Sequence, residues 1–366
     1  MDIRLENVLK YEQPTKYIVK SENYSDDFAL PVLTAGKSFV LGYTDETEGV
    51  CKASENPVII FDDFTADCKY VNFDFKVKSS AMKILHKANA EDNLKYYFYA
   101  MQAIDYTPFS HKRVWISEYS KFKIENRSVA EQNNIVKDLD TVATAIDNAK
   151  QRLNALDELV KSRFIEMFGD PITNSKNLPE LTLPELGEFG RGVSKHRPRN
   201  APELLGGKYP LIQTGEVANA ELYINGYTNT YSELGYKQSK MWKAGTLCIT
   251  IAANIAKTGI LSFDACFPDS VVGFHANEKT NNIFIHFWFT FFQEILEAQA
   301  PASAQKNINL RILSELKVIV PPIELQNEFA DFVKLTDKSK FVCLFIPSIF
   351  YEIFLRFRHP PLHIRG

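Results

Sequence analysis

Phe122-Lys123-Ile124, followed by Ala130-Glu131-Gln132-Asn133, returns 194 positions later as Leu316-Lys317-Val318 followed by Glu324-Leu325-Gln326-Asn327. The chain is written twice. Earlier in each half, Pro31-Val32-Leu33-Thr34-Ala35-Gly36 is echoed at an offset of 179 by Pro210-Leu211-Ile212-Gln213-Thr214-Gly215, and Tyr43-Thr44 is matched with Tyr227-Thr228. Unequal offsets mean loops of unequal length on one packed frame, because loops tolerate change where cores do not. The period is far too long for a solenoid. A duplicated domain with dissimilar loops presents two related surfaces to two related targets.

Between the copies lies the strongest periodic signal. Ile135, Leu139, Val142, Ile146, Ala149, Leu153, Leu156, Val160 and Met167 follow alternating steps of four and three, broken once at Arg163. That spacing is the packing stripe of a coiled-coil helix. Ser128 and Glu131 stand at capping-box spacing at its start, and Phe168-Gly169-Asp170-Pro171 ends it. From Gln132 to Phe168 the spacing predicts a rod of roughly 55 Å at 1.5 Å per residue, about the length of sixteen base pairs of duplex.

Outside the rod each copy reads as mixed strand and helix. Val58–Phe61, Val71–Phe75, Thr246–Ile251 and Leu316–Val320 are short β-rich runs, and Asn93–Ile104 and Ile283–Leu296 are aromatic-rich amphipathic helices in matching places. The fold class is therefore α+β, with a curved mixed sheet in each copy. The expected organisation is a domain over 1–127, the central helix over 128–170, a second domain over 171–322, the start of a second helix over 323–340 and a divergent tail over 341–366. Shifted by 194, Ile135 and Leu139 become Phe329 and Val333, but Val142 and Ile146 become Thr336 and Lys340, so the second stripe fades and the second helix reads as truncated. Beyond it, Phe341–Tyr351 is apolar and β-rich and too short for a membrane span.

Composition narrows the class further. A formal net charge of −3 in 366 residues argues against a free-standing nucleic-acid coat, although a reader of nucleic acid needs no more than a local positive surface. Five cysteines at wide spacing (Cys51, Cys68, Cys248, Cys266, Cys343) read as reduced core residues. The start Met1-Asp2-Ile3-Arg4 shows no secretory pattern, so a cytoplasmic location is expected.

With the duplication in place, Leu156-Asp157-Glu158-Leu159-Val160-Lys161-Ser162-Arg163-Phe164-Ile165-Glu166-Met167-Phe168-Gly169-Asp170-Pro171 and Pro321-Pro322-Ile323-Glu324-Leu325-Gln326 resemble the specificity subunits of type I restriction-modification systems. The resemblance covers residues 1 to about 340. It implies two target-recognition domains that each read one half of a split DNA site, and two helices that pair antiparallel and set the gap between the halves. It also implies partners: double-stranded DNA, methyltransferase (modification) subunits and, through them, endonuclease/translocase (restriction) subunits, with no membrane. S-adenosylmethionine, ATP and Mg belong to those partners; no cofactor is expected in this chain, which is not expected to be an enzyme. The sequence departs from the family pattern in its second helix.

The most basic stretch is Arg191-Gly192-Val193-Ser194-Lys195-His196-Arg197-Pro198-Arg199. Arg191, Lys195, His196, Arg197 and Arg199 are candidates for DNA contact, since such cations neutralise phosphate and arginine pairs bidentately with guanine. The competing reading is a solvated loop. The corresponding early segment in the first copy carries Lys10, Lys16 and Lys20. The polar loops after the repeated strand add Thr34, Lys37 and Ser38 in one copy and Gln213 and Thr214 in the other, where glutamine could pair with adenine. His111, Lys112 and Arg113, matched by Gln305, Lys306 and Asn307, precede each final strand, mix charge with amide or imidazole groups and are further candidates for DNA contact. Lys237, Gln238 and Lys240 are a lesser candidate for DNA contact, read more readily as an ordinary charged face.

Chemistry of its own is not legible. A glycine-rich cofactor loop and an Asn/Asp-Pro-Pro-aromatic motif are lacking, with Asn56-Pro57-Val58-Ile59 a mere fragment, and there is no Walker loop. A nuclease could use Asp269 with Glu315 and Lys317, and His359 and His363 could suggest a metal pair, but Pro360-Pro361 prevents the helix that would align them. Two other readings stay open: a coiled-coil protein-interaction module, and an inactive or regulatory variant of the specificity subunit.

Overall fold

The computed structural model describes residues 2–35, 38–109, 113–252, 255–299 and 310–358, with backbone alone over 294–299 and 341–358. The chain divides into two compact units, Met1–Ala149 together with residues from Ile346 onward, and Lys150–Phe345.

The first unit runs β1 (Asp2–Arg4), α1 (Leu5–Val8), β2 (Leu9–Glu12), β3 (Leu30–Leu33), β4 (Val40–Thr44), β5 (Val58–Asp62), β6 (Cys68–Val71), β7 (Lys76–Val77), β8 (Met82–Lys87), α2 (Leu94–Gln102) and β9 (Lys123–Glu125), and then α3 (Val129–Phe168) begins. After α3 come β10 (Glu180–Thr182), α4 (Leu183–Leu186), β11 (Gly187–Arg191), β12 (Leu205–Leu211), α5 (Thr214–Ala218), β13 (Tyr223–Ile224), β14 (Asn229–Tyr231), α6 (Glu233–Lys237), β15 (Met241–Trp242), β16 (Leu247–Thr250), β17 (Thr258–Leu261), β18 (Ala265–Cys266), β19 (Val271–Ala276), α7 (Asn282–Gln299), α8 (Leu310–Glu315), β20 (Lys317–Ile319) and α9 (Ile323–Arg358).

The duplication is visible in the strand order. The first unit has a sheet β2-β8-β5-β6 and the second β11-β19-β16-β17-β13; the smaller sheets are β4-β3-β7 and β14-β12-β18-β15. In both small sheets the repeated proline strand has one antiparallel and one parallel neighbour. Each copy is closed by a two-stranded ribbon, β1 on β9 and β10 on β20, with Ile3 opposite Ile124 and Leu181 opposite Val318.

The repeated Gln-Asn pair has a structural reason. Gln132, 1% exposed, accepts from Asn93 N at 2.8 Å and donates to Arg127 O at 3.1 Å, while Asn133 accepts from the Asn93 amide at 2.8 Å. In the second copy Gln326, fully buried, accepts from Thr280 Oγ1 at 2.7 Å and Asn281 N at 3.3 Å and donates to Pro321 O at 2.8 Å and Lys279 O at 3.1 Å. Asn327 accepts from Asn281 at 3.1 Å. In each unit one amide therefore joins the start of the long helix to the start of the aromatic helix and satisfies groups that a buried helix end would otherwise leave unpaired.

Forty residues make α3 about 60 Å long. Ser128 and Glu131 cap it reciprocally, with Ser128 N to Glu131 at 2.9 Å and Glu131 N to Ser128 Oγ at 3.4 Å. It stops at Gly169, whose φ of 76° suits glycine and where a Cβ would lie 2.4 Å from Ser175 Oγ. Leu139, Ala149 and Val160 of its stripe are buried, and Ile135, Val142, Ile146, Leu153 and Leu156 half-buried. Past Val160 the buried step is four, to Phe164 and Phe168, rather than the three expected at Arg163. Those two rings pack with Phe284 and Phe329 in the second unit's core, at centroid distances of 5.0–5.6 Å.

Within that unit α3 and α9 run antiparallel: Arg163 bonds Glu328 at 2.9 Å, and farther along Lys340 pairs with Asp157. Both polar departures from the stripe are accommodated. Lys340 has its carboxylate, and buried Thr336 donates to Phe332 O at 3.0 Å. The backbone stays helical to Arg358 rather than ending near Lys340, giving 36 residues against 40 in α3. An established helix propagates through residues of modest helix propensity, so the β-rich composition of 341–351 did not stop it.

Two further expectations differ. Val71–Phe75 is not a strand: β6 ends at Val71, and Asp74 instead accepts from Ser54 N at 3.2 Å and Lys52 at 2.8 Å to shape a loop. Tyr43-Thr44 is not the counterpart of Tyr227-Thr228, since Pro31 lies opposite Tyr43 whereas Pro210 lies opposite Thr230.

Gln326→Ala, which strips partners from four groups at once, should cost roughly 2 kcal/mol or more; an unchanged urea midpoint would remove the amide from its central place. His286 is buried against Thr258 Oγ1 at 2.9 Å, and burial, with a smaller push from Lys340, lowers its pKa from 6.5 to about 4. Between those values the unfolded chain holds the extra proton, so stability is full above about 6.5 and declines as pH falls toward 4. His286→Asn should shrink the difference between urea midpoints at neutral and mildly acid pH.

Candidate nucleic-acid interface

The basic run leaves β11 at Arg191, opposite Val272. Gly192 passes so close to the next segment that a Cβ would sit 2.3 Å from Phe267 O and 2.4 Å from Pro268 O. Val193 N then donates to Phe267 O at 3.1 Å, while Ile212 N, just before Gln213, donates to Cys266 O at 2.9 Å. Two sequence-distant candidate segments thus hang from adjacent carbonyls.

Beyond that anchor the loop is held by its own polar groups. Gln238 Oε1 accepts from Lys195 N at 2.6 Å and His196 N at 3.0 Å. Arg197 Nη1 donates to Ser194 O at 2.6 Å and His196 O at 2.8 Å, folding the guanidinium back onto its own loop. Asp269 bridges Arg197 at 3.3 Å and Arg199 at 2.5 Å. His196 Nδ1 lies 3.3 Å from Pro198 O. Among the described residues, neither the Lys195 ammonium nor the Arg191 guanidinium has a hydrogen-bond or ion-pair partner, and both residues are exposed. Of the five basic-run candidates, then, two cations are free, Arg197 braces the loop, and Arg199 is half neutralised.

Gln213 is exposed at the start of α5 and lines a cleft of about 770 Å³ with Glu216, Asn219, Tyr223, Thr228 and Asp337. Its N–H donates to Glu216 at 3.1 Å, and Glu216 also receives Thr228 N at 3.3 Å. Thr214 is half-buried in the first turn of α5. Lys240 is occupied by Glu188 at 2.7 Å and lies 3.7 Å from the Trp242 ring centre.

The first unit is arranged differently. Thr34 closes its own loop, donating to Ser38 O at 2.6 Å and, through its N–H, to Phe39 O at 2.9 Å. Lys16 is paired with Glu12 at 2.7 Å and Lys20 with Glu48 at 3.2 Å. Arg113 is exposed, and the chain after it is pinned by Asp63, which accepts from Trp115 N at 2.8 Å and pairs with Lys83 at 3.2 Å, both side chains 2% exposed. Lys37, His111, Lys112, Gln305, Lys306, Asn307, His359 and His363 lie outside the described residues.

Sequence reading missed the braces. Asp269 appeared there as a possible metal ligand and Gln238 as part of a charged face; no local signal marks a residue whose partner lies 42 to 72 positions away. The nuclease reading loses its acids, as Asp269 is held by two arginines and Glu315 by Arg311 at 2.7 Å. Among the described residues no three His, Cys, Asp or Glu side chains are grouped to hold a metal ion. Burial raises the Cys51 thiol to about 11 and Cys68 to about 12 and pushes Cys248 and Cys266 upward, so these four stay protonated at neutral pH. No described helix is long and apolar enough to cross a membrane.

A family profile described as the type I restriction modification DNA specificity domain matches residues 180–341. The type I restriction enzyme EcoR124I/EcoR124II specificity subunit of Escherichia coli is 32% identical to the chain, across 91% of this sequence and 85% of that one. The chain belongs to the type I restriction-modification specificity subunits. The putative MjaX specificity subunit of Methanocaldococcus jannaschii is 21% identical over 60% of this specificity subunit and 54% of that chain. In fold, it matches the crystal structure of the S subunit from M. genitalium with a TM-score of 0.62 at 15% identity, covering 98% of this chain and 94% of that one. A second solved chain, from work on complex assembly and conformational transition of the type I R-M system, matches with a TM-score of 0.50 at 14% identity, covering 97% and 95%.

Removal of the bridging carboxylate in Asp269→Ala should loosen the 194–199 loop of this specificity subunit. Trypsin should then cut after Lys195 and Arg199 several-fold faster under native conditions, and unchanged cleavage would show that the arginines need no anchor.

Proposed function

We propose that this specificity subunit reads a split DNA site with two target-recognition domains, 1–127 and 171–322, spaced by the helix over 128–170 and the second helix from 323. The observation that carries this reading is the repeated frame: the same sheet order and the same buried-amide junction appear twice, with different loops. A shared frame with unlike loops suits two half-sites of different sequence.

The chain supplies the address and its partners the chemistry. Methyltransferase subunits would place S-adenosylmethionine over an adenine in each half-site, and restriction subunits would use ATP and Mg. In the second domain Lys195 and Arg191 are the phosphate-seeking cations, with Gln213 the candidate for base contact; in the first, Arg113 is an exposed cation whose following chain is held by Asp63. Arg197 supports the loop rather than reading bases. The second helix, paired with α3 within its unit and helical to Arg358, favours a working subunit over a silent variant.

Sequencing of host DNA for modified bases, with the methyltransferase partner present and this chain present or deleted, tests the reading. A split methylated motif should appear with the chain and vanish without it; a motif indifferent to the chain would refute the proposal. Lys195→Ala should weaken duplex binding across sequences and lower the log-log salt slope by about one. Gln213→Ala should relax one half of the motif and leave the other intact.

A further inference from the structure

We propose that Gln238 is a positioning residue for DNA binding that acts through Lys195. This rests on the reading of the 191–199 loop as a phosphate-contacting segment. Gln238 lies outside the loop, at the end of α6, yet its single side-chain oxygen receives the consecutive N–H groups of Lys195 and His196 at 2.6 and 3.0 Å. Two bonds converging on one atom fix the backbone at the residue that carries a free, exposed ammonium.

The amide is kept for its oxygen. Gln238 Nε2 is buried with no hydrogen-bond partner, a cost that a hydrocarbon of the same size would avoid. The Ser194 hydroxyl one residue before Lys195 is buried and unpartnered as well. Uncompensated polar groups gathered under one loop fit a segment shaped for a task rather than for stability. Arg197 completes the brace by gripping the Ser194 and His196 carbonyls, so the backbone on both sides of Lys195 is bound. Lys195 meets a phosphate with its backbone already ordered, and less conformational entropy is lost on binding.

A double-mutant cycle tests this on the full chain, with its methyltransferase partner and a duplex bearing the sequenced motif. Gln238→Leu keeps the volume and removes the acceptor. It should weaken binding roughly five- to tenfold and lower the salt slope by about one. In a Lys195→Ala background it should change affinity by less than about twofold. An equal loss in both backgrounds, or an unchanged slope, overturns the positioning role while leaving the loop reading intact. If Lys195→Ala itself changes neither affinity nor slope, the loop reading fails and the positioning role with it. Should Gln238→Leu lose thermal stability, Gln238→Met, an uncharged side chain of similar size that also lacks the acceptor, runs the same cycle at a temperature where both variants are folded: the same loss of slope is expected, and an unchanged slope overturns the proposal.

Discussion

A buried carboxamide at the start of each long helix is the constraint on which the architecture rests. Gln132 and Gln326 each have both ends of the amide engaged, accepting from the N-terminal region of an aromatic helix and donating to a carbonyl just before their own helix. A hydrophobic residue there could fill the space but could not satisfy those backbone groups, and a carboxylate would bring a charge without donors for the carbonyls. The amide is the side chain that has both polarities at one point. Its position fixes where the helix begins relative to the ribbon and the aromatic helix, and so where the loops of that unit are hung.

On this common frame the two units use different interior chemistry. The first buries lysines: Lys83 against Asp63 at 3.2 Å, and Lys76, 1% exposed, against Glu46 at 2.8 Å and Glu48 O at 2.6 Å. Both units have an aromatic core, Phe61, Trp115 and Tyr119 in the first and Phe164, Phe168, Phe284, Phe329 and Trp288 in the second, so the buried lysine pairs are what the first adds. Buried ion pairs contribute little net stability once desolvation is counted, but they require specific partners. In the first unit buried charge thus ties the chain around Glu46–Glu48 and Asp63, while the second unit's basic loop is held by hydrogen bonds and a surface bridge that leave two cations free.

Much of the frame was legible in the sequence because repetition is a signal that needs no structural knowledge. The Gln-Asn pair could be read from its return 194 positions later, and the capping residues Ser128 and Glu131 and the Gly169 stop from residues within four positions of one another. What failed to show was long-range. The continuation of the stripe through Phe164 depends on rings contributed by α7 and α9, and the helical course of 341–358 goes against local propensity. Among candidate contacts, charge was visible but availability was not. Lys16, Lys20, Arg197 and Lys195 look alike as letters, and their neighbours, not their type, decide which are free.

The last two turns of α3 also bear on how the chain is made. Phe164 and Phe168 belong to the second unit's core although they precede all of its strands. During synthesis these rings leave the ribosome long before α7 and α9 exist to cover them. For that interval the end of the rod is an exposed aromatic surface, the kind that chaperones bind and that sticks to other nascent chains. The second unit consequently cannot complete its core until almost all of the described chain has been translated, and the folding boundary lies inside the helix rather than at the glycine that ends it.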